Sequence, residues 1–165
     1  MGAPRAQRSG YRGATLTVAT VPTKLASQQI ASLRGKAKAS FLLAVEDIRR
    51  RGCEAAGVRL TGEALSAICR LDLYGAWRLL SVFEAPDRCV LLIVAEHTRT
   101  ANPYRLLYAA LGIDEPEEPR TKPSCCDDEG QPPIDPGLVA RFERGLRDLS
   151  RALPASARTP TRRRR

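Results

Sequence analysis

The sequence predicts an α+β domain in which an antiparallel β-sheet is packed by an N-terminal α-helical hairpin. Three observations carry this. Apolar residues recur at helical spacing between Pro22 and Arg51, the period switches to that of strands between Val58 and His97, and a capped helix signal follows at Asn102.

Each element has its own local reason. Residues 1–13 combine Gly, Pro, Arg and Ser without periodicity and read as a flexible leader. Thr15 to Ala19 alternates and is rich in β-branched residues, as a short strand would be. Pro22 suits a helix start, and Leu25, Gln29, Ile30 and Leu33 continue at helical spacing. After Gly35, the residues Phe41, Leu42, Val45 and Ile48 mark a second helix over 36–51, closed by three arginines before Gly52. Val58-Arg59-Leu60 leads to a turn at Thr61-Gly62, and a short loop or helical turn is expected over Glu63 to Ser66. Three strands follow at 67–73, 76–84 and 88–97, turning at Tyr74-Gly75 and Pro86-Asp87. Asn102-Pro103 caps a helix carrying Tyr104, Leu107, Tyr108 and Leu111, and Gly112 ends it.

This gives a domain over 14–113. Residues 114–136, acidic and Pro-rich, read as a linker with too little apolar surface to order itself. Leu138, Val139, Phe142, Leu146 and Leu149 predict an amphipathic helix over 137–153, and the Arg-rich tail 154–165 reads as disordered. The expectation is therefore a helical and disordered C-terminal extension outside the compact core.

The charge is unevenly spread. The chain has a formal net charge of +9, with 16 basic and 9 acidic residues up to position 114, 2 and 7 over 115–136, and 9 and 2 thereafter. A basic domain and a basic tail point to a polyanion, nucleic acid ahead of a membrane surface. The longest apolar run, Val90 to Ala95, is far short of the ~20 residues that span a bilayer, and no apolar stretch follows the basic N-terminus as in a secretory signal. A cytoplasmic protein is expected. Five cysteines, at 53, 69, 89, 125 and 126, are an odd and irregular set, so free thiols are expected rather than a disulfide framework. Cys69 and Cys89 read as buried hydrophobes. Cys125-Cys126 reads as an exposed redox-sensitive pair or, with His97, as a poor metal site; no metal and no cofactor is expected.

Three stretches bear a resemblance to a known family. They are LRGKAKASFLLAVEDIRRRG, the Leu60-Thr61-Gly62 step before the sheet, and LYGAWRLLSVFEAPDRCVLLIVAEHT, with an aromatic-Arg-aliphatic strand, a turn and an aliphatic strand ending in His. They cover about half the chain and resemble the RelE/ParE superfamily, the toxins of bacterial type II toxin–antitoxin systems. The chain departs from that pattern in its long C-terminal extension. The resemblance implies a RelE-like fold, a cognate antitoxin protein as partner, and a ribosome-dependent messenger RNA endonuclease acting by metal-free 2′-hydroxyl attack. ParE-like relatives instead inhibit DNA gyrase without cutting RNA, and a basic module binding nucleic acid without catalysis is a third reading.

For RNA cleavage the resemblance implies Arg78 as the cation on the scissile phosphate, His97 as the proton-transfer group, and Arg99 as added charge at the site. Arg70, across the hairpin from Arg78, joins the cationic patch, with Lys36 and Lys38 as further RNA-binding residues. Glu84 or Glu96 is a candidate base; each is equally a cross-strand partner that would make Arg78 an ordinary strand arginine. Tyr104 and Tyr108 are packing residues or stacking platforms.

Overall fold

The computed structural model describes residues 17–115 and 123–152. The expected leader, the start of the first strand at Thr15 and Leu16, and the tail 154–165 lie outside the described residues, as does part of the expected linker. The chain is α+β, with strands β1 (Ala19–Pro22), β2 (Val58–Arg59), β3 (Ile68–Asp72), β4 (Trp77–Ala85) and β5 (Arg88–Glu96) in one sheet, and helices α1 (Lys24–Ser32), α2 (Gly35–Arg51), α3 (Pro103–Leu111) and α4 (Leu138–Ala152) among the described residues.

The sheet runs β1-β5-β4-β3-β2. It is mixed rather than antiparallel: β2 to β5 form antiparallel pairs, while β1 lies parallel to β5. A parallel pair needs a long crossover, and everything from α1 to β4 lies between these two strands. β1 pairs only with Arg88–Leu91. Beyond it Thr23 takes over the β5 edge: its hydroxyl donates to the Leu92 carbonyl at 3.0 Å and accepts from Ala26 N at 3.1 Å, so one side chain caps α1 and closes the strand edge. Gln29 Oε1 accepts from Val94 N at 2.8 Å and continues that cover.

Both faces of the sheet are buried, which explains the unbroken aliphatic run of β5. On one face Phe41 and Ile48 of α2, with Ala26 and Leu33, pack on Leu79, Phe83, Leu91 and Val94. On the other, Leu107 and Ala110 of α3 and Leu138 and Phe142 of α4 pack on Ile68, Leu80, Val82, Val90 and Leu92. A register shift opposite Leu80/Ser81 leaves Leu92 without a cross-strand partner, so Leu92 and Ile93 both turn to the second face.

The compact unit therefore does not end near 113. The helix expected over 137–153 is present as α4, but Leu138 and Phe142 are completely buried in the core and the helix belongs to the domain. α4 approaches α3 so closely that a Cβ at Gly145 would overlap the Ala110 carbonyl. The described part of the expected linker is likewise bound to the sheet: Ser124 bridges Val58, and Ile134 bridges Phe83.

The cysteine expectation is also corrected. Cys53 is bonded to Cys126 and Cys69 to Cys125; Cys89 alone is free. The adjacent pair bridges outward to two different elements, a pairing that irregular spacing along the chain conceals because it depends on which strands become neighbours.

Candidate nucleic-acid interface

The β3–β4 hairpin builds the site. In an antiparallel pair, directly opposed residues share a face, as do residues two apart on one strand. Asp72 is paired with Arg78, and Arg70 with Leu80, whose side chain lies in the second core. Arg70, Asp72 and Arg78 thus project from the face covered by α3 and α4. Asp72 Oδ1 lies 3.1 Å from Nε of Arg70 and 3.1 Å from Nε of Arg78. Both arginine side chains are largely buried, at 19% exposure, while the carboxylate is half exposed. Arg78 is held further by Nη1, which donates to the carbonyls of Gly75 at 3.1 Å and Trp77 at 2.9 Å.

α3 brings the aromatic component. Asn102 caps the helix, its Oδ1 accepting from Tyr104 N at 2.9 Å, and this places Tyr104 over the end of the hairpin. Burial pushes the Tyr104 phenol up from its ordinary value, and the charges of Arg70 and Arg78 pull it part of the way back. The Arg70 guanidinium donates to Asp72 Oδ2 through Nη2 at 3.4 Å and lies close enough to the Tyr104 hydroxyl to lower the phenol, although Arg70 Nε and Tyr104 OH are not aligned for a regular hydrogen bond. His97, just beyond β5, stands edge-on to Tyr104, with ring centroids 5.1 Å apart at 83°.

The structure thus gathers Arg70 and Arg78 around Asp72 with Tyr104 beside them, and sets His97 against the Tyr104 ring. It does not gather the rest. Arg99 lies on the exposed turn after β5, and no ion pair or side-chain hydrogen bond among the described residues ties it to the cluster. Lys36 and Lys38 are on α2, which covers the opposite face, and the Lys36 ammonium sits 5.5 Å from the Tyr74 ring centroid. Neither proposed cross-strand partner of Arg78 reaches it. Glu84 binds Arg88 at 2.8 Å at the far end of the hairpin, and Glu96 is paired with Trp77, whose ring packs on the first core. Asp72 was the residue to find. An Arg-X-Asp step on a strand, facing an arginine just past a two-sided turn, is the pattern that discloses it. Tyr108 packs partly buried on the second core, its phenol raised by burial.

Chemically, two guanidinium groups meet on one carboxylate of the same hairpin, with a phenol beside them and an imidazole against the phenol ring. No helix among the described residues is long and apolar enough to cross a membrane. Comparison with known protein families, with curated proteins and with solved structures finds no match for this chain.

Proposed function

We propose that this protein is a RelE-like toxin that cuts messenger RNA in the ribosomal A site, acts in the cytoplasm and is neutralised by a cognate antitoxin. The observation that supports this reading is the gathering of Arg70, Arg78 and Tyr104 at one end of the sheet, with His97 against the Tyr104 ring. In this reading the scissile phosphate replaces the Asp72 carboxylate between the two arginines. The neighbouring 2′-hydroxyl attacks phosphorus, the guanidinium groups take up the charge of the phosphoryl oxygens, and His97 moves a proton. The products are a 2′,3′-cyclic phosphate and a free 5′-hydroxyl, so atoms balance without a metal or cofactor.

The test is direct. Purified protein is added to ribosomes translating a defined message, and the RNA ends are mapped by primer extension. Cuts within the A-site codon that vanish when that codon carries 2′-deoxynucleotides support the reading. Arrest of translation without cuts, or no arrest, overturns it.

One observation favours a second reading. Asp72 already satisfies much of the charge of both arginines, as a purely structural knot would. A ParE-like, non-nucleolytic toxin would leave the message whole and show its effect in a gyrase supercoiling assay.

A further inference from the structure

The described part of the segment joining α3 to α4, residues 123–135, forms a strap with one buried residue, Cys125. Its remaining side chains are half-buried or exposed, and three of them are the acidic run Asp127, Asp128 and Glu129. Between its ends the strap bonds mainly to itself: Asp127 N donates to Gln131 O at 2.8 Å, and Asp127 Oδ1 accepts from Glu129 N and Gln131 N. Its polar hold on the β2 edge is Arg59 N to Pro123 O at 2.8 Å, Cys125 N to Gly57 O at 2.9 Å, and Arg59 Nε to Cys125 O at 3.0 Å. Its far end is anchored to β4 by Asp135 N, which donates to Phe83 O at 3.1 Å, and on the β2 side those three bonds are reinforced by the two disulfides.

The two bridges differ in access. Cys69 and Cys125 are completely buried, while Cys126 is half-buried beside Cys53, so the outer bridge is the one a reductant can reach. Behind them lies the candidate site. Cys69 precedes Arg70 on β3, Val58 is paired with Arg70, and Gly57 packs so tightly on the Arg70 carbonyl that no Cβ would fit.

We propose that Cys53–Cys126 is a thiol–disulfide exchange site that opens first and exposes the Cys69–Cys125 bridge, so that opening both frees the strap from β2, the strand flanking Arg70. A dithiol reductant supplies the electrons. One of its thiolates attacks the Cys126 sulfur, forming a mixed disulfide and expelling Cys53 as a thiolate that takes up a proton. The second thiol of the reductant then closes its own disulfide and releases Cys126. Two electrons and two protons pass to the protein, and the reductant is oxidised. Cys69–Cys125 then becomes reachable and opens by the same chemistry. Disulfides in a reducing compartment are usually transient or sensing, and the cytoplasmic setting of the function proposed above makes reversible exchange the natural role; the exchange chemistry itself stands on the strap alone.

The probe is dithiothreitol, titrated onto the full chain purified under oxidising conditions. Alkylation is followed by mass spectrometry, and amide hydrogen exchange is read by peptide. The expected order is Cys89 alone labelled after denaturation of the oxidised chain, then Cys53 and Cys126, then Cys69 and Cys125. Opening both bridges should raise exchange at residues 57–59 and 124–125 by about tenfold or more, with β4 and β5 amides still protected. The Cys53→Ser/Cys126→Ser double variant should reach the same raised exchange at a lower dithiothreitol concentration, because its inner bridge is the first one met. Three results overturn the proposal: all five cysteines labelled in the oxidised chain, the inner bridge opening first, or exchange rising in β4 and β5 together with the strap. None of these readouts depends on toxicity or RNA cleavage, so failure here is distinct from failure of the proposed function.

Discussion

Arg78 and Asp72 face each other across the β3–β4 hairpin, and their 3.1 Å ion pair leaves the carboxylate half exposed while the arginine is mostly buried. A partly desolvated guanidinium held by one removable anion is suited to exchanging that anion for another. Arg78→Ala should therefore lower RNA cleavage by ~10²–10³, about 3–4 kcal/mol of transition-state stabilisation, measured as the single-turnover rate on programmed ribosomes. Arg78→Lys should recover only part of this, because an ammonium offers no planar fork. An unchanged rate would remove Arg78 from the chemistry.

In the proposed function a phosphate must displace Asp72 from the two arginines, so Asp72→Asn should tighten binding of a short RNA. A gain of several-fold at low salt is expected, with a slope against log salt steeper by up to ~1, measured by fluorescence anisotropy. Because the carboxylate is half exposed, the loss of stability should stay within about 1 kcal/mol, read from urea denaturation. Weaker RNA binding in a folded variant would identify Asp72 as a structural partner only.

α4 depends on the absence of a side chain at one position. Gly145→Ala would force a Cβ into the Ala110 carbonyl and lever α4 off α3, at a cost of about 1–3 kcal/mol. Phe142→Ala, which empties a completely buried site on the same face, should cost about 3–5 kcal/mol. Denaturant midpoints check both; an unchanged midpoint for either would mean that α4 is not part of the cooperative unit.

Cys89 provides a pH signature. Burial pushes its thiol up to about 12, with a contact from the Ser81 hydroxyl offsetting this in part. The sign follows from proton binding. Below the unfolded thiol value near 9.0 both states hold the proton and stability is independent of this group. As pH rises above that value the unfolded chain releases its proton and the folded one keeps it, so stability falls by up to ~1.4 kcal/mol per pH unit. Urea unfolding at pH 8 and pH 10.5 should show a decline that is smaller in Cys89→Ala. An identical decline in the variant would assign the effect to other groups.

Local chemistry was legible in the sequence where short-range physics decides the outcome. Asn102-Pro103 and Gly112 bound α3 because capping and the left-handed C-terminal residue act within a few positions. The β3–β4 turn at Tyr74-Gly75 brought Arg70 and Arg78 together for the same reason. The parallel placement of β1 was not legible, because it depends on a contact between residues about seventy positions apart. The second helical layer was missed because Leu138 and Phe142 follow a stretch whose composition resembles a free linker, although few apolar anchors suffice when the opposing sheet face is already apolar. The cysteines were misread through the same bias: their spacing carries no pattern, and only the adjacency of the Gly52–Ala55 turn, β3 and the strap pairs them.

The two bridges are nested, since Cys69 and Cys125 both lie between Cys53 and Cys126. Mechanically, a chain pulled by its ends cannot pay out the 73-residue span enclosed by the outer bridge, a hidden contour of roughly 260 Å at ~3.6 Å per residue. The inner bridge is slack under such a load. Opening the outer one alone would lengthen the tether only by the difference between the two spans, about 60 Å, before the inner bridge takes up the tension. Force therefore passes through the first 52 residues and α4, leaving the hairpin that carries Arg70 and Arg78 inside an unloaded loop.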